Sequence, residues 1–273
     1  MNRTSDPAED PLSLEGKVAV VTGAGQGIGR RVAERFAAAG AHVLIGDLDE
    51  GRAASAAKEL EGGAEGVGVD VSSEESVASL AGIATERFDR LDVWANFAAT
   101  GYPTDTGDFF EAQDYPLEMW NRVLSVNLTG SFLCARAAAR EMIRAGNGGA
   151  ILLTSTTVVD RYPGHRGMVG YAASKGGIEQ LTMMMAAELG PHRIRVLALK
   201  PTVIETEGMR EHMDAVAEVI GTDEAFGELE KLMPLGRFGV PDDIARVAQF
   251  AASDLASFMT GCVIPVDGGE GLI

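Results

Sequence analysis

A tyrosine and a lysine stand four residues apart in the stretch Tyr171-Ala172-Ala173-Ser174-Lys175. On a helix, this spacing brings both side chains to the same face. A phenol is a poor base near neutral pH because its ordinary pKa is about 10, but a neighbouring ammonium stabilises the phenolate and lowers that pKa. Tyr171 is therefore predicted to exchange a proton with a substrate oxygen. The alternative is an exposed helical pair without function, because this spacing also occurs by chance.

A second chemical pattern is the glycine-rich run TGAGQGIG at Thr22–Gly29, which follows an apolar run and opens a helical pattern. Glycines let the backbone turn tightly and approach a pyrophosphate, whose charge a helix N-terminus stabilises. In this strand–turn–helix context the run predicts dinucleotide binding, and an ordinary glycine-rich turn is the alternative. The residues expected to contact the dinucleotide are Gly23, Gln26, Gly27, Ile28 and Gly29.

Two acidic residues predict further contacts with the same dinucleotide. Asp47 ends the second apolar run, where a carboxylate can accept hydrogen bonds from the adenosine ribose hydroxyls. That carboxylate would repel the 2′-phosphate of NADP, and Leu48 rather than an arginine follows it. The pattern therefore predicts NAD, with a solvated loop acid as the alternative. Asp70 and Val71 are predicted to close the third strand, with the Asp70 side chain bonding the adenine amino group.

Seven short apolar runs must form the elements that position these residues. Most are continuously apolar rather than alternating, which is typical of strands covered on both faces. Helical patterns alternate with them, such as Glu74–Phe88 after the capping residue Ser73. The order predicts an α/β fold, a single doubly wound Rossmann domain over residues 14–273 with a seven-stranded parallel sheet and helices on both faces. The predicted strands are Lys17–Thr22, His42–Asp47, Gly66–Val71, Leu91–Ala98, Ala150–Thr156, Ile194–Lys200 and Cys262–Val266.

Composition bounds the partners and the compartment. The formal net charge of −17 predicts repulsion from nucleic acids and from anionic membranes. The sequence contains no run of about 18 apolar residues, so no transmembrane helix is expected. Cys134 and Cys262 are far apart and, like the four histidines, lack metal-ligand spacing. We therefore expect neither a disulfide framework nor a metal site. We expect a cytoplasmic location. Residues 1–13, polar and acidic with two prolines, predict a disordered tail.

Taken in order, these motifs resemble those of the single-domain short-chain dehydrogenases/reductases over residues 14–269. The resemblance implies an NAD-dependent oxidoreductase that interconverts a secondary alcohol and a ketone by hydride transfer, with Tyr171 as acid and base. It also implies a homotetramer, with helices around residues 120–145 and 171–190 forming one interface. The motifs that carry it are TGAGQGIG, Asp47, Asp70-Val71, NLTG at Asn127–Gly130, YAASK at Tyr171–Lys175 and PVDGG at Pro265–Gly269.

The resemblance implies further roles by position. Asn127 would hold a water that connects Lys175 to bulk solvent, and Lys175 would also bond the nicotinamide ribose. Ile204 would present backbone groups to the carboxamide, and Thr206 would contact the carboxamide or the pyrophosphate. The remaining implied members of the cofactor site are Asn96, with a strand-bridging role, Ala98 and Pro201.

The hydroxyl that polarises the substrate oxygen has two candidates. The family pattern ends the fifth strand with paired serines, of which the second is catalytic, whereas this chain has Thr154-Ser155-Thr156-Thr157. The register puts Thr156 at the catalytic position, and a threonine hydroxyl can donate the same hydrogen bond. Its separation from Tyr171 is about two residues longer than is typical of the family, so Ser155 remains the second candidate.

The substrate pocket is expected between segments 99–119, 157–170 and 201–235. A bulky, partly apolar substrate is predicted, with an acidic or hydroxylated end facing a basic cluster before Tyr171; the alternative leaves the arginines of that cluster in solvent or at a subunit contact. The first segment carries Tyr102, Phe109, Phe110 and Tyr115, and the basic cluster is Arg161, Tyr162, His165 and Arg166.

Two other function classes remain open. A noncatalytic NAD-binding sensor or scaffold would have lost its proton-transfer group, and Tyr171 with Lys175 and Asn127 argues against that loss. A sugar epimerase or dehydratase shares the tyrosine–lysine pair but usually carries a sizeable extra substrate domain, for which no residues remain here. A net change in NADH would separate a dehydrogenase from an epimerase.

Overall fold

Seven parallel strands form one sheet in the part of the chain that the computed structural model describes, which is residues 10–60, 63–101, 110–160, 167–207, 209, 230–231 and 233–272. The strand order is β3-β2-β1-β4-β5-β6-β7, so the predicted seven-stranded parallel sheet is confirmed. The strands are β1 (Val18–Thr22), β2 (His42–Asp47), β3 (Glu65–Gly68), β4 (Val93–Asn96), β5 (Gly149–Thr154), β6 (Ile194–Pro201) and β7 (Val263–Val266).

Helices cover both faces of this sheet. One buried apolar cluster joins α1, α2 and α7 to the strands, and a second joins α3, α5 and α6 to the opposite face. Burial on both faces explains why β1 is apolar at four successive positions and buried at all five. The helices are α1 (Gly27–Ala38), α2 (Glu50–Glu59), α3 (Glu74–Phe88), α4 (Leu117–Leu124), α5 (Gly130–Ala145), α6 (Val169–Leu189) and α7 (Pro241–Ala252).

The third strand is shorter than predicted and begins one residue earlier. It spans Glu65–Gly68 rather than Gly66–Val71, so the prediction that Asp70 and Val71 close it was wrong. The strand lies at the edge of the described sheet, and two of its four residues are glycines, which weaken a strand. Beyond it, the Asp70 N–H donates to Ser76 Oγ at 3.0 Å, so the chain already turns toward α3.

Two inner strands also end earlier than predicted. β4 stops at Asn96 rather than Ala98, and β5 stops at Thr154 rather than Thr156. Ala98, Ser155 and Thr156 therefore lie in loops beyond the carboxyl ends of their strands. Because all strands are parallel, the loops at these ends meet at one edge of the sheet, where open α/β sheets bind ligands.

The start of the described chain is tied to the fold. Residues 10–13, predicted as part of a disordered tail, form a turn in which the Leu12 carbonyl accepts from Gln249 Nε2 at 3.1 Å. Residues 1–9 lie outside the described residues. None of the helices described has the length and apolar character needed to span a membrane.

Candidate active site

A cavity of about 690 Å³ opens at the carboxyl edge of the sheet. This volume falls within the range of about 300–1,000 Å³ typical of ligand pockets. Of the catalytic and cofactor-binding residues predicted from the sequence, all of which are described, only Asn96 and Asn127 do not line it. The predicted residues that line it are Gly23, Gln26, Gly27, Ile28, Gly29, Asp47, Leu48, Asp70, Val71, Ala98, Ser155, Thr156, Tyr171, Lys175, Pro201, Ile204 and Thr206.

The turn between β1 and α1 has room only for glycine at two positions. Gly23 has φ +69°, and a Cβ there would lie 2.4 Å from the Ala98 backbone nitrogen. A Cβ on Gly29 would lie 2.2 Å from the Gly23 carbonyl oxygen. Gln26 gives α1 no side-chain cap, so the first N–H groups of the helix remain available at the cavity. These features fit a bound pyrophosphate, and the residues of the turn would hold it.

Asp47 is held rigidly at the cavity wall. The residue is 8% exposed, its Oδ2 accepts from Gly25 N at 2.9 Å, and its Oδ1 accepts from Asp49 N at 3.1 Å. Arg52, which was not predicted from the sequence, also lines the cavity. Its Nη2 lies 3.6 Å from Asp47 Oδ1, and its Nη1 donates to Gln26 Oε1 at 2.9 Å. Arg52 lies in the first turn of α2. Its position shortly after β2 is the sequence feature that could have predicted it at the cavity.

Asp70 lies exposed at the cavity rim. Its Oδ1 accepts from the Ser72 N–H at 2.9 Å and from the Ser72 hydroxyl at 2.6 Å. One carboxylate oxygen is therefore already used to stabilise the turn that follows β3. The predicted contact with adenine stays a prediction.

Asn96 bridges elements from behind the cavity wall. Its Oδ1 accepts from Thr22 Oγ1 at 2.7 Å and from Ala98 N at 3.3 Å, and its Nδ2 donates to Ser131 Oγ at 2.9 Å. The side chain is 2% exposed. Asn96 thus joins β1, β4 and α5, as its strand-bridging role implies, and positions Ala98 at the cavity.

Tyr171 and Lys175 form a partly enclosed pair on α6, not an exposed helical pair. Lys175 Nζ lies 5.6 Å from the centroid of the Tyr171 ring and donates to the Thr154 carbonyl at 2.8 Å. Lys175 is 2% exposed, and this burial lowers the pKa of its ammonium to about 8. Both side chains line the cavity, so a phenol and an ammonium stand together at the ligand-binding edge.

Asn127 lies in a π-helical turn, Ser125–Thr129, between α4 and α5. Such turns are frequent at functional sites. The Asn127 side chain is fully buried, accepts from Thr100 N at 2.8 Å, and donates to the Thr100 carbonyl at 2.9 Å and to Ser174 Oγ at 3.1 Å. Ser174, which was not predicted from the sequence as a site residue, donates its hydroxyl proton to the Tyr171 carbonyl at 2.7 Å. Asn127 is therefore linked to α6, and its water-holding role stays a prediction.

The two candidate hydroxyls differ in their partners. Ser155 is 1% exposed, and its Oγ donates to Glu179 Oε1 at 2.7 Å. Thr156 is 7% exposed, and its Oγ1 accepts from Val158 N at 3.5 Å. A hydroxyl carries one proton to donate. The Ser155 proton is committed to a carboxylate, whereas among the described residues the Thr156 hydroxyl only accepts, so its proton remains available.

Comparison with known proteins agrees with this geometry. The family model described as enoyl-(acyl carrier protein) reductase matches residues 23–270. An NAD-dependent glycerol dehydrogenase of Listeria innocua is 36% identical over 258 residues, covering 94% of this chain and 95% of that protein. The chain belongs to the short-chain dehydrogenase/reductase family.

Other relatives of this short-chain dehydrogenase/reductase match over similar lengths. A D-threitol dehydrogenase of Mycolicibacterium smegmatis is 34% identical, covering 94% of this chain and 93% of that protein. The solved structure of a short-chain type dehydrogenase/reductase from Mycobacterium ulcerans has a TM-score of 0.85 at 31% identity, covering 95% of this chain and 91% of that one. The chain thus shares the family's fold over nearly its whole length.

The substrate side of this family member is described only in part. Tyr102, Phe109 and the whole basic cluster lie outside the described residues. The three segments predicted to wall the pocket each contribute described lining residues, such as Thr100, Val158 and Met209. Phe110 and Tyr115 pack edge to face, with ring centroids 6.3 Å apart, and are not part of that lining. Two charged lining residues that sequence analysis missed are Arg122, one turn before Val126 on the same helical stretch, and Glu270, directly after the PVDGG motif.

Proposed function

We propose that this chain is an NAD-dependent oxidoreductase that interconverts a secondary alcohol and a ketone, with Tyr171 as the proton-transfer group. The observation that carries the proposal is that Tyr171 and Lys175 line the same cavity as the glycine-rich turn and Asp47. Bound NAD would supply the hydride acceptor, or the donor in the reverse direction. Asp47 would hold its adenosine ribose, and Ile204 and Thr206 would lie at its nicotinamide end.

The chain's own residues would handle the proton. In oxidation, the Tyr171 phenolate takes the hydroxyl proton of the alcohol while the carbinol carbon loses hydride; in reduction, the phenol returns a proton to the carbonyl oxygen. The Lys175 ammonium, 5.6 Å from the ring centroid, stabilises the phenolate. Thr156 donates a hydrogen bond to the same substrate oxygen, which stabilises the charge that develops there.

The hydroxyl assignment predicts that two neighbouring variants behave differently. Thr156→Ala is expected to lower kcat by about 100-fold, equivalent to roughly 3 kcal/mol of transition-state stabilisation. Ser155→Ala is expected to change kcat by only a few-fold, because its hydroxyl is bonded to Glu179. Steady-state rates on the best substrate measure both variants. A larger loss of kcat in Ser155→Ala than in Thr156→Ala would reverse the assignment. Equal kcat values in the two variants would discard it.

The relatives favour a hydroxylated substrate. One is named for glycerol and one for D-threitol. These names support the hydroxylated end predicted from the sequence, but not the bulky, partly apolar remainder of the predicted substrate. The net charge of −17 disfavours large anionic substrates. We therefore propose a polyol or the corresponding hydroxyketone as the substrate class.

A substrate panel tests the proposed function. Polyols and secondary alcohols with NAD⁺, and hydroxyketones with NADH, are followed by NADH absorbance and by product analysis. At least one alcohol and its corresponding ketone are expected to be interconverted in both directions. The reaction is expected to be more efficient with NAD(H) than with NADP(H). Binding of NADH without turnover across the panel would favour a sensor or scaffold. Conversion of a substrate without net change in NADH would favour an epimerase.

The preference for NAD is tested at Asp47. Asp47→Ser is expected to raise the KM for NAD⁺ by about 10- to 100-fold, because charge-assisted hydrogen bonds worth about 1.5–3 kcal/mol are lost. The same change removes the carboxylate that lies 3.6 Å from Arg52 Nη2. The guanidinium keeps its ion pair with Asp49 at 3.2 Å, and its Nη2 can then bind the 2′-phosphate of NADP⁺. Activity with NADP⁺ is therefore expected to rise.

The matched control is the double variant Asp47→Ser/Arg52→Ala. It is expected to lose the gain with NADP⁺ while keeping the raised KM for NAD⁺. If Asp47→Ser left the ratio of kcat/KM values for NAD⁺ and NADP⁺ unchanged, the proposed role of Asp47 would be discarded.

We also propose a homotetramer, as the family implies. Apolar side chains lie exposed on α5 at Phe132 and Ile143 and on α6 at Met183 and Met184, with Met184 60% exposed. Light scattering is expected to give the mass of four chains. Met184→Glu should give a smaller assembly, because a charge in an apolar interface is costly. A monomeric wild type would contradict the proposal.

A further inference from the structure

An ion-pair cluster around a buried lysine lies beside the segment that carries the two candidate hydroxyls. It consists of Lys200 near the end of β6, Glu179 on α6 and Asp160 after the turn that follows β5. Lys200 is 6% exposed; its Nζ lies 2.9 Å from Glu179 Oε1 and also pairs with Asp160 Oδ2. The described lining of the cavity does not include Lys200, so this ammonium does not face the cofactor or the substrate.

The cluster joins the segments that flank Thr156 in sequence. On one side, the Ser155 hydroxyl donates to Glu179 Oε1 at 2.7 Å, the same oxygen that pairs with Lys200. On the other side, Asp160 ends the short turn Thr157–Val159, and its N–H donates to the Thr157 carbonyl at 3.0 Å. Lys200 therefore holds both ends of a six-residue stretch that contains Thr156.

The same cluster is close in sequence to two other parts of the site. Glu179 follows Lys175 by one turn of α6, and Lys200 immediately precedes Pro201, which lines the cavity. The described ion pairs of the Lys200 ammonium are nevertheless with Glu179 and Asp160, the two residues that hold the stretch around Thr156.

Stability alone does not explain a lysine at this position. Burial lowers the pKa of the Lys200 ammonium, but hydrogen bonds to Asp160 and Glu179 outweigh that effect and raise it overall. Lys200 is therefore charged at neutral pH. Replacing a buried ion pair by apolar residues of similar volume is often neutral or stabilising in proteins, so the cluster suits a role in geometry more than one in stability.

We propose that Lys200 is a positioning residue: through Glu179 and Asp160 it fixes the backbone on both sides of Thr156 and so holds the Thr156 hydroxyl at the cavity wall. The proposal rests on the proposed function, because it assumes that this hydroxyl binds the substrate oxygen. Lys200 itself touches neither substrate nor cofactor. Its effect must therefore disappear when the Thr156 hydroxyl is absent.

A double-mutant cycle in the full-length enzyme tests this dependence. Lys200→Met is expected to lower kcat by about 10-fold or more while leaving the affinity for NADH, measured by fluorescence titration, within two-fold of the wild type. In the Thr156→Ala background the same substitution is expected to cost almost nothing further, because coupled residues are not additive. Lys200→Arg, which keeps the charge, is expected to recover part of the lost kcat.

The matched control is Lys17→Met, which removes a lysine paired with Asp254 at 2.8 Å in a partly exposed ion pair and is expected to leave kcat unchanged. Should Lys200→Met fail to fold, Asp160→Asn replaces it in the cycle, since that carboxylate is more than half exposed. Losses that add in the double variant, or a lower melting temperature with unchanged kcat, would overturn the proposal. A wild type without turnover would instead show that the proposed function has failed.

Discussion

Tyr171→Phe is expected to lower kcat by about 10³-fold, within the range of about 10²- to 10⁴-fold that general acid–base catalysis contributes. The substitution removes one oxygen and keeps the ring, whose centroid lies 5.6 Å from Lys175 Nζ. The cavity wall should therefore keep its shape, and the affinity for NADH should change little. Steady-state rates on the best substrate and a fluorescence titration with NADH measure the two effects separately.

Tyr115→Phe is the matched control for this prediction. Tyr115 lies next to the first turn of α6, where its hydroxyl lies close to Gly170, but it is not part of the described cavity lining. Its loss is expected to change kcat by no more than a few-fold. If Tyr171→Phe kept more than a tenth of wild-type kcat, or if the control lost as much, the proton-transfer role of Tyr171 would be rejected.

Lys175→Met is expected to abolish turnover and to stabilise the fold at neutral pH. Turnover is lost because the phenolate of Tyr171 loses its neighbouring charge. Stability rises because burial lowers the pKa of Lys175 from 10.5 to about 8, so keeping this group protonated in the folded state costs about 3 kcal/mol. Methionine has a similar length and no charge to bury.

The stabilisation expected from Lys175→Met depends on pH, because it arises from the lowered pKa of Lys175. Between about pH 8 and 10.5 the unfolded chain holds a proton that folded Lys175 has released, so the wild type gains stability as pH rises. The variant lacks this gain, and its advantage of about 3 kcal/mol below pH 8 should vanish near pH 10.5. Denaturant unfolding of both proteins across this range measures the difference. A variant less stable than wild type at pH 7, or a difference independent of pH, would contradict the prediction.

The sheet and the cofactor-binding edge could be predicted from the sequence because their signals are local. The glycines of the β1–α1 turn, the apolar run that ends at Asp47 and the tyrosine–lysine spacing each lie within a few residues. The parallel order of the strands then brings them to one edge. The bounds of α3 were predicted correctly for the same reason, since Ser73 accepts from Ser76 N at 3.3 Å at its start.

The choice between the two candidate hydroxyls could not be predicted because it depends on side chains that are distant in sequence. It rests on Glu179, which lies 24 residues after Ser155 and is contacted only through the fold. Arg52 was missed although it lies near Asp47 in sequence, in the first turn of α2. The position of Asp70 was mispredicted because apolar character continues past Gly68, whereas the strand ends there.

Deuterium transfer tests the central claim most directly. NADH carrying deuterium at both C4 positions is incubated with the best ketone, and the product alcohol is analysed by mass spectrometry and NMR. The account predicts one deuterium on the carbinol carbon for each NADH consumed, at a rate that falls about 10³-fold in Tyr171→Phe. Unlabelled product, or conversion of the substrate with NADH left unchanged, would contradict it.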